Sequence, residues 1–345
     1  MKIIVSTHFK HLIIPIFYIF IILMFLGCET ASGPGTSDFK HELMKEPAHN
    51  FGSYNDFFNP QSKLVDRIRI QDDFVLDYLK KYDDNDSYEF YQPTEQEKVL
   101  FEEYLELLPD NYLDVLESRV VGIYFIDNYL ASGMTDFVLC QDSDELFCFL
   151  VFNPALINVP MEEWITKKEN SCFVDTDPNL NINVSIESPY TGLLYILIHE
   201  STHVMDYVLS ISPYVEPDIG ELNSKMDATT SFTERVWSDY RIPFGINNYE
   251  MRDYVTFYGF KNGPLIADTN AVELYTNLSN SLFISLYGSA NWAEDLAEYM
   301  TFYHLTQTLN LDYSINVTYH KALKFTYIPF EKSEILNRIN NIHIL

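Results

Sequence analysis

Basic side chains are scarce in this chain. Only 22 lysines and arginines stand against 50 aspartates and glutamates, a formal net charge of −28 over 345 residues. That excess repels phosphate backbones at long range and argues against nucleic-acid binding. Cysteine is scarcer still, with four in the whole chain, and none of their spacings matches a zinc–cysteine pattern. Internal repeats and low-complexity tracts are missing. Uninterrupted apolar runs of membrane-spanning length are missing too: the one from Leu12 to Leu26 is short for a spanning helix. What the chain has in quantity is material for a core, 47% hydrophobic and 15% aromatic, which excludes disorder for most of its length.

Lys2 and Lys10 precede the apolar run, and Gly27 and Cys28 follow it, so the first residues read as an export signal. The ending "MFLGC" resembles the bacterial lipoprotein signal, in which a small residue precedes a cysteine that is lipidated and becomes the mature N-terminus. The resemblance implies a signal peptide over 1–27, lipidation at Cys28 and a membrane-anchored protein of the cell envelope or surface; an uncleaved anchor is the alternative. Residues 28–50, polar and carrying "SGPGTS", read as a flexible tether. Cys140, Cys148 and Cys172 then permit at most one intramolecular bridge. Cys140 and Cys148, on either side of a hairpin tip, are the pair that could form it, and free buried thiols are the equal alternative.

A helical N-terminal region is expected over 51–114. Apolar spacing predicts one helix over 61–82, and the Thr94/Glu97 capping box starts a second that runs to Pro109. From Val120 short β-branched and aromatic runs predict strands of one sheet, "VVGIYFIDN", "MTDFVLC" and "LFCFLVFN". A polar loop around Asp175 follows. Pro189 then opens a helix, and the remainder reads as mainly helical, with helices over 264–288, from the N-cap Asn291 onward, and near the C-terminus. The class is α+β.

The chemistry concentrates in "LLYILIHESTHVMDY". On a helix, His199 and His203 lie four apart and face one way, so both imidazoles can reach one ion, while Glu200 points into the adjacent space. The apolar run before His199 makes burial costly unless the ionisable groups have partners. A catalytic zinc takes three protein ligands, and "NWAEDLAEY" offers Glu294 and Glu298, four apart on one helix, either of which could be the third. The other carboxylate, one turn along, can hydrogen-bond the far nitrogen of a ligand histidine; Asp206, three after His203, could orient a ligand in that way or bond to a neighbouring backbone. His304 is too far along its helix to be a ligand and reads as a packing histidine.

"HESTHVMDY" followed by "YGSANWAEDLAEY" resembles the catalytic domain of the anthrax lethal factor family, within the gluzincin zinc metallopeptidases, over about residues 115–310. The resemblance implies a zincin-like domain, 115–345, with one Zn2+ per chain on His199, His203 and Glu294. Glu200 would be the general base and Tyr287 the oxyanion donor. The separation of His203 from Glu294 is longer than that family has, so 209–263 reads as an insertion. A protein or peptide substrate is expected to pair along "LFCFLVFN" as a sheet edge. Two alternatives stand beside the peptidase: a non-catalytic surface-binding lipoprotein that keeps the fold, and a zinc hydrolase of cell-wall peptides.

Overall fold

The computed structural model describes residues 36–223 and 229–342. The signal peptide, Cys28 and the first four residues of the "SGPGTS" stretch, 32–35, lie outside the described residues. The architecture is mixed α+β. A four-stranded sheet runs in the order β1 (Glu89–Phe90), β2 (Val120–Asp127), β4 (Leu146–Phe152), β3 (Gly133–Leu139). β2 and β4 are parallel; the other two pairs are antiparallel.

The strands are almost continuously apolar because both faces of the sheet are covered. On one face Val121, Tyr124, Ile126, Val138, Phe149 and Val151 pack against Tyr54, Val75, Leu79 and Tyr88 from the N-terminal region. On the other, Ile123, Phe125, Phe137, Cys148, Leu150 and Phe152 meet the histidine helix, Gly192–Leu209. Residues 51–114 are therefore built into the same sheet. Their helical reading is corrected at one point: 61–82 is a 3-10 turn, Leu64–Arg67, then an extended stretch, then a helix over Asp73–Asp83. The sheet takes the extended part, with Ile68 bridging to Ile123 and the Arg69 amide donating to the Ile123 carbonyl at 2.9 Å.

Other expectations are corrected as well. The tether is ordered from Thr36, where a helix runs to Leu43, and Met44 and Ala48 are buried. "LFCFLVFN" is β4, an interior strand; the edge on its side of the sheet is β3, bridged at its end by Asn50 to Leu139. Cys140 and Cys148 are free, because Cys148 faces the histidine helix and Cys140 packs on the opposite side of the sheet. The polar loop near Asp175 leads into a strand, Leu180–Ser185, which pairs with a hairpin, Ser314–Tyr319 and Ala322–Tyr327, in a region expected to be helical. The 264–288 helix spans only Ala271–Ser279. The Thr94 capping box and the Asn291 cap are both present. Among the described residues no helix is long and apolar enough to cross a membrane.

Candidate metal centre

The histidine helix is apolar all round, and every residue from Gly192 to Tyr207 is buried, as expected of a helix clamped between layers. One side lies on β3 and β4. Gly133 at the start of β3 allows that contact: a Cβ there would sit 2.9 Å from Ile196 Cγ1 and 3.1 Å from Glu200 Cγ. The other side meets the glutamate helix, Trp292–Tyr303. Asn291 caps that helix, its Oδ1 accepting from the amides of Ala293 and Glu294 at 3.0 Å each, which fixes the first turn where Glu294 sits.

The two helices bring the expected ligands together. One ligand atom from each of His199, His203 and Glu294 lies within 4.8 Å of the other two, and this triad could hold a metal ion. Glu294 Oε2 is 3.2 Å from His199 Nε2 and 3.6 Å from His203 Nε2. Tetrahedral bonds of about 2.0–2.1 Å would set ligand atoms about 3.3 Å apart, so the donor set and its spacing fit such an ion. Burial alone would lower the His199 imidazole, but hydrogen bonds with Glu294 and Glu298 outweigh it and raise it to about 10. Burial likewise pushes Glu294 up, and the two histidines overcome it, holding the carboxyl well below the usual range.

Glu200 stands beside the triad and is not one of its ligands. The Thr135 hydroxyl of β3 is 2.8 Å from Glu200 Oε2 and 2.9 Å from the Glu200 carbonyl. Burial raises the Glu200 carboxyl against the pull of His199, His203 and Thr135. Tyr287, in a 3-10 turn ahead of the Asn291 cap, is half-buried with its ring 5.8 Å from that of His199. Burial and Glu294 raise its phenol, so the hydroxyl stays protonated and able to donate.

Glu298 is the hub behind the ligands. It is fully buried, and its Oε1 lies 3.2 Å from His199 Nδ1. It accepts from Ser285 Oγ at 2.6 Å, from the Tyr195 hydroxyl and, through both oxygens, from Lys168 Nζ at 3.1 Å. Burial pushes Glu298 up, but Lys168 first and His199 next bring it down to about 2. Asp206 does not share this role. Its oxygens accept from the Ser212 amide at 2.6 Å and from the Ser212 hydroxyl, tying down the turn after the helix. His304 Nε2 bonds the Leu107 carbonyl at 2.7 Å, away from the site.

Lys168, Tyr195, Ser285 and Thr135 were not singled out by the sequence. Tyr195 carried a usable signal, since it precedes His199 by one helical turn. Lys168 carried none, because a buried lysine is recognisable only from the carboxylate that meets it in space.

The 209–263 segment wraps the start of the glutamate helix. Trp292 Nε1 donates to the Tyr214 carbonyl at 2.6 Å, Trp237 Nε1 to Asp295 at 2.8 Å, and Tyr249 shares a 2.8 Å hydrogen bond with Ser289. At its far end the Tyr258 hydroxyl meets Ser132 at 2.6 Å, just before β3. The segment thus spans from the glutamate helix to the sheet edge.

The chain matches no protein-family model, no curated protein and no solved structure.

Proposed function

We propose that this protein is a zinc-dependent peptide hydrolase with a zincin-like domain. The observation that carries the reading is the convergence of His199, His203 and Glu294 with a buried carboxylate, Glu200, beside them and outside the ligand set. Two imidazoles and one carboxylate are a donor set of catalytic zinc sites. Zinc, when bound, supplies a Lewis acid and a water whose pKa falls to about 7.

The chain's own residues supply the rest. Glu200, raised by burial, accepts a proton from water and returns it to the departing amine nitrogen. Thr135 holds the carboxylate that does so in one orientation. Tyr287 donates its hydroxyl to negative charge developing on the carbonyl oxygen. Glu298, fixed by Lys168, Tyr195 and Ser285, keeps His199 in the ring orientation that presents Nε2 to the site. The edge strand β3, adjacent to Glu200 through Thr135, is where an extended substrate pairs its backbone. Export and lipid anchoring at Cys28 belong to the same reading.

The purified protein should contain one zinc per chain, and Glu294→Ala should lose it. Glu200→Gln should keep both metal and fold while abolishing peptide cleavage. Cleavage retained by Glu200→Gln would remove it as the base, and a metal-free protein, or zinc unchanged in Glu294→Ala, would overturn the ligand assignment. Parallel assays on peptide libraries and cell-wall fragments separate the peptidase from a wall hydrolase, and inactivity on both would favour a binding role.

A further inference from the structure

A cleft of about 370 Å³ opens beside the candidate centre. Tyr287, Asn291 and Glu294 form one wall; Arg241, Ile242 and Arg252 of the 209–263 segment form the other.

The two arginines are used differently. Arg252 is committed: it donates to the carbonyls of Ser289 at 2.7 Å and of Arg241 at 3.0 Å, to Asn248 at 3.3 Å, and to Asp253 at 2.6 Å. It therefore braces the Arg241 backbone against the Ser289 main chain, close to the helix that carries Glu294. Arg241 sits in the turn between the strands Trp237–Asp239 and Ile242–Pro243. It is exposed, its guanidinium lies over the Tyr240 ring at 5.7 Å and within electrostatic reach of the Tyr82 hydroxyl, and neither contact occupies its hydrogen-bonding fork. Arg69, Arg119 and Arg338 each face a carboxylate, and Arg67 bonds main-chain carbonyls. Among the described residues no acidic side chain forms an ion pair with Arg241, although Arg252 beside it has one with Asp253.

Of the charges nearby, Asp239, across the turn from Arg241, accepts from the Tyr240 amide at 2.7 Å and is exposed to solvent. Asp253 pairs with Arg252, and Glu294 faces the histidines. Charges more than about 8 Å away are screened at physiological ionic strength, so the chain's overall negative charge does not cancel a guanidinium at the cleft mouth. A planar, permanently charged fork matches a carboxylate in two parallel hydrogen bonds.

We propose that Arg241 is a specificity-determining residue that binds a carboxylate of the peptide substrate next to the scissile bond. This rests on the peptidase reading. The carboxylate can belong to an Asp or Glu side chain or to the peptide's own C-terminus.

The test uses the zinc-loaded full chain on peptides carrying Asp or Glu, Asn or Gln, or Lys at each position, each made with a free and an amidated C-terminus. Carboxylate peptides should exceed their amide isosteres by roughly tenfold in kcat/KM. Arg241→Ala should erase that preference, and Arg241→Glu should turn it toward Lys. A preference that survives amidation assigns the carboxylate to a side chain; one that amidation removes assigns it to the chain end. No preference in the wild type, or the same preference in Arg241→Ala, overturns the proposal while leaving the peptidase reading intact if Glu200→Gln is inactive. If the wild type cleaves nothing, binding of an acidic peptide and its amide isostere to the wild type and to Arg241→Ala decides. Tighter acidic binding that depends on Arg241 upholds the carboxylate site and sinks the peptidase; equal binding sinks both.

Discussion

Lys168 is the residue whose chemistry depends most on its surroundings. Its ammonium is 2% exposed, lies 4.8 Å from the centre of the Tyr287 ring and contacts both oxygens of Glu298. Replacing it with an apolar side chain leaves a buried carboxylate uncompensated, which is costlier than never having built the pair. Lys168→Met should weaken zinc binding by about 10–100-fold, the usual range for a group that orients a ligand. A competition assay with a chromophoric chelator reads this directly, and unchanged affinity would show that Glu298 holds His199 without help. His199, Glu200 and His203 were legible in the sequence because their geometry is local, within about one turn of one helix. Glu294 was legible as one of two carboxylates following the Asn291 cap, and only the family resemblance chose it over Glu298. Asp206 stayed open between a ligand and a neighbouring backbone, because spacing alone cannot tell a ring nitrogen from the Ser212 amide as its partner.

Among the elements, the closest fit is between β3 and the histidine helix. Gly133 has no Cβ to hold them apart, and one placed there would lie 2.9 Å from both Ile196 Cγ1 and the Val151 carbonyl. Gly133→Ala should destabilise the fold by about 1–3 kcal/mol, the cost of overpacking a tight contact. It should also lower cleavage by moving Thr135 off Glu200; chemical denaturation and steady-state rates on one preparation check both effects. Strand identities were legible from composition, but their order was not. β4 reads like any apolar strand, and only the crossover that places β3 outside it decides which strand forms the edge. The C-terminal hairpin was hidden for a local reason. Its two-residue turn uses His320 and Lys321 at φ of 50° and 63°, where such turns ordinarily signal themselves with Asn or Gly.

For the molecule as a whole, one buried acid shapes stability against pH. Glu169 is 1% exposed and accepts from Tyr275 at 2.6 Å; burial, opposed by Lys168, raises it from an ordinary 4.5 to about 7. The folded state therefore holds this proton more tightly than the unfolded chain does. The stabilisation is complete below pH 4.5 and is lost as pH rises through about 7. Glu169→Gln keeps the neutral form at every pH, so its stability relative to wild type should grow by about 3 kcal/mol between pH 4.5 and 8. Urea titrations at the two pH values measure the difference, and parallel curves would exclude Glu169 as the source. A final consequence concerns the order of assembly. The two histidines arrive together on one helix, but Glu294 lies 95 positions after His199, and its neighbour Asp295 is clamped by Arg338 from a late segment of the chain. The residue proposed as third ligand is fixed only once that segment has docked, so the triad is completed late in folding, and on the proposed reading a partly synthesised chain should bind metal weakly and stay inactive.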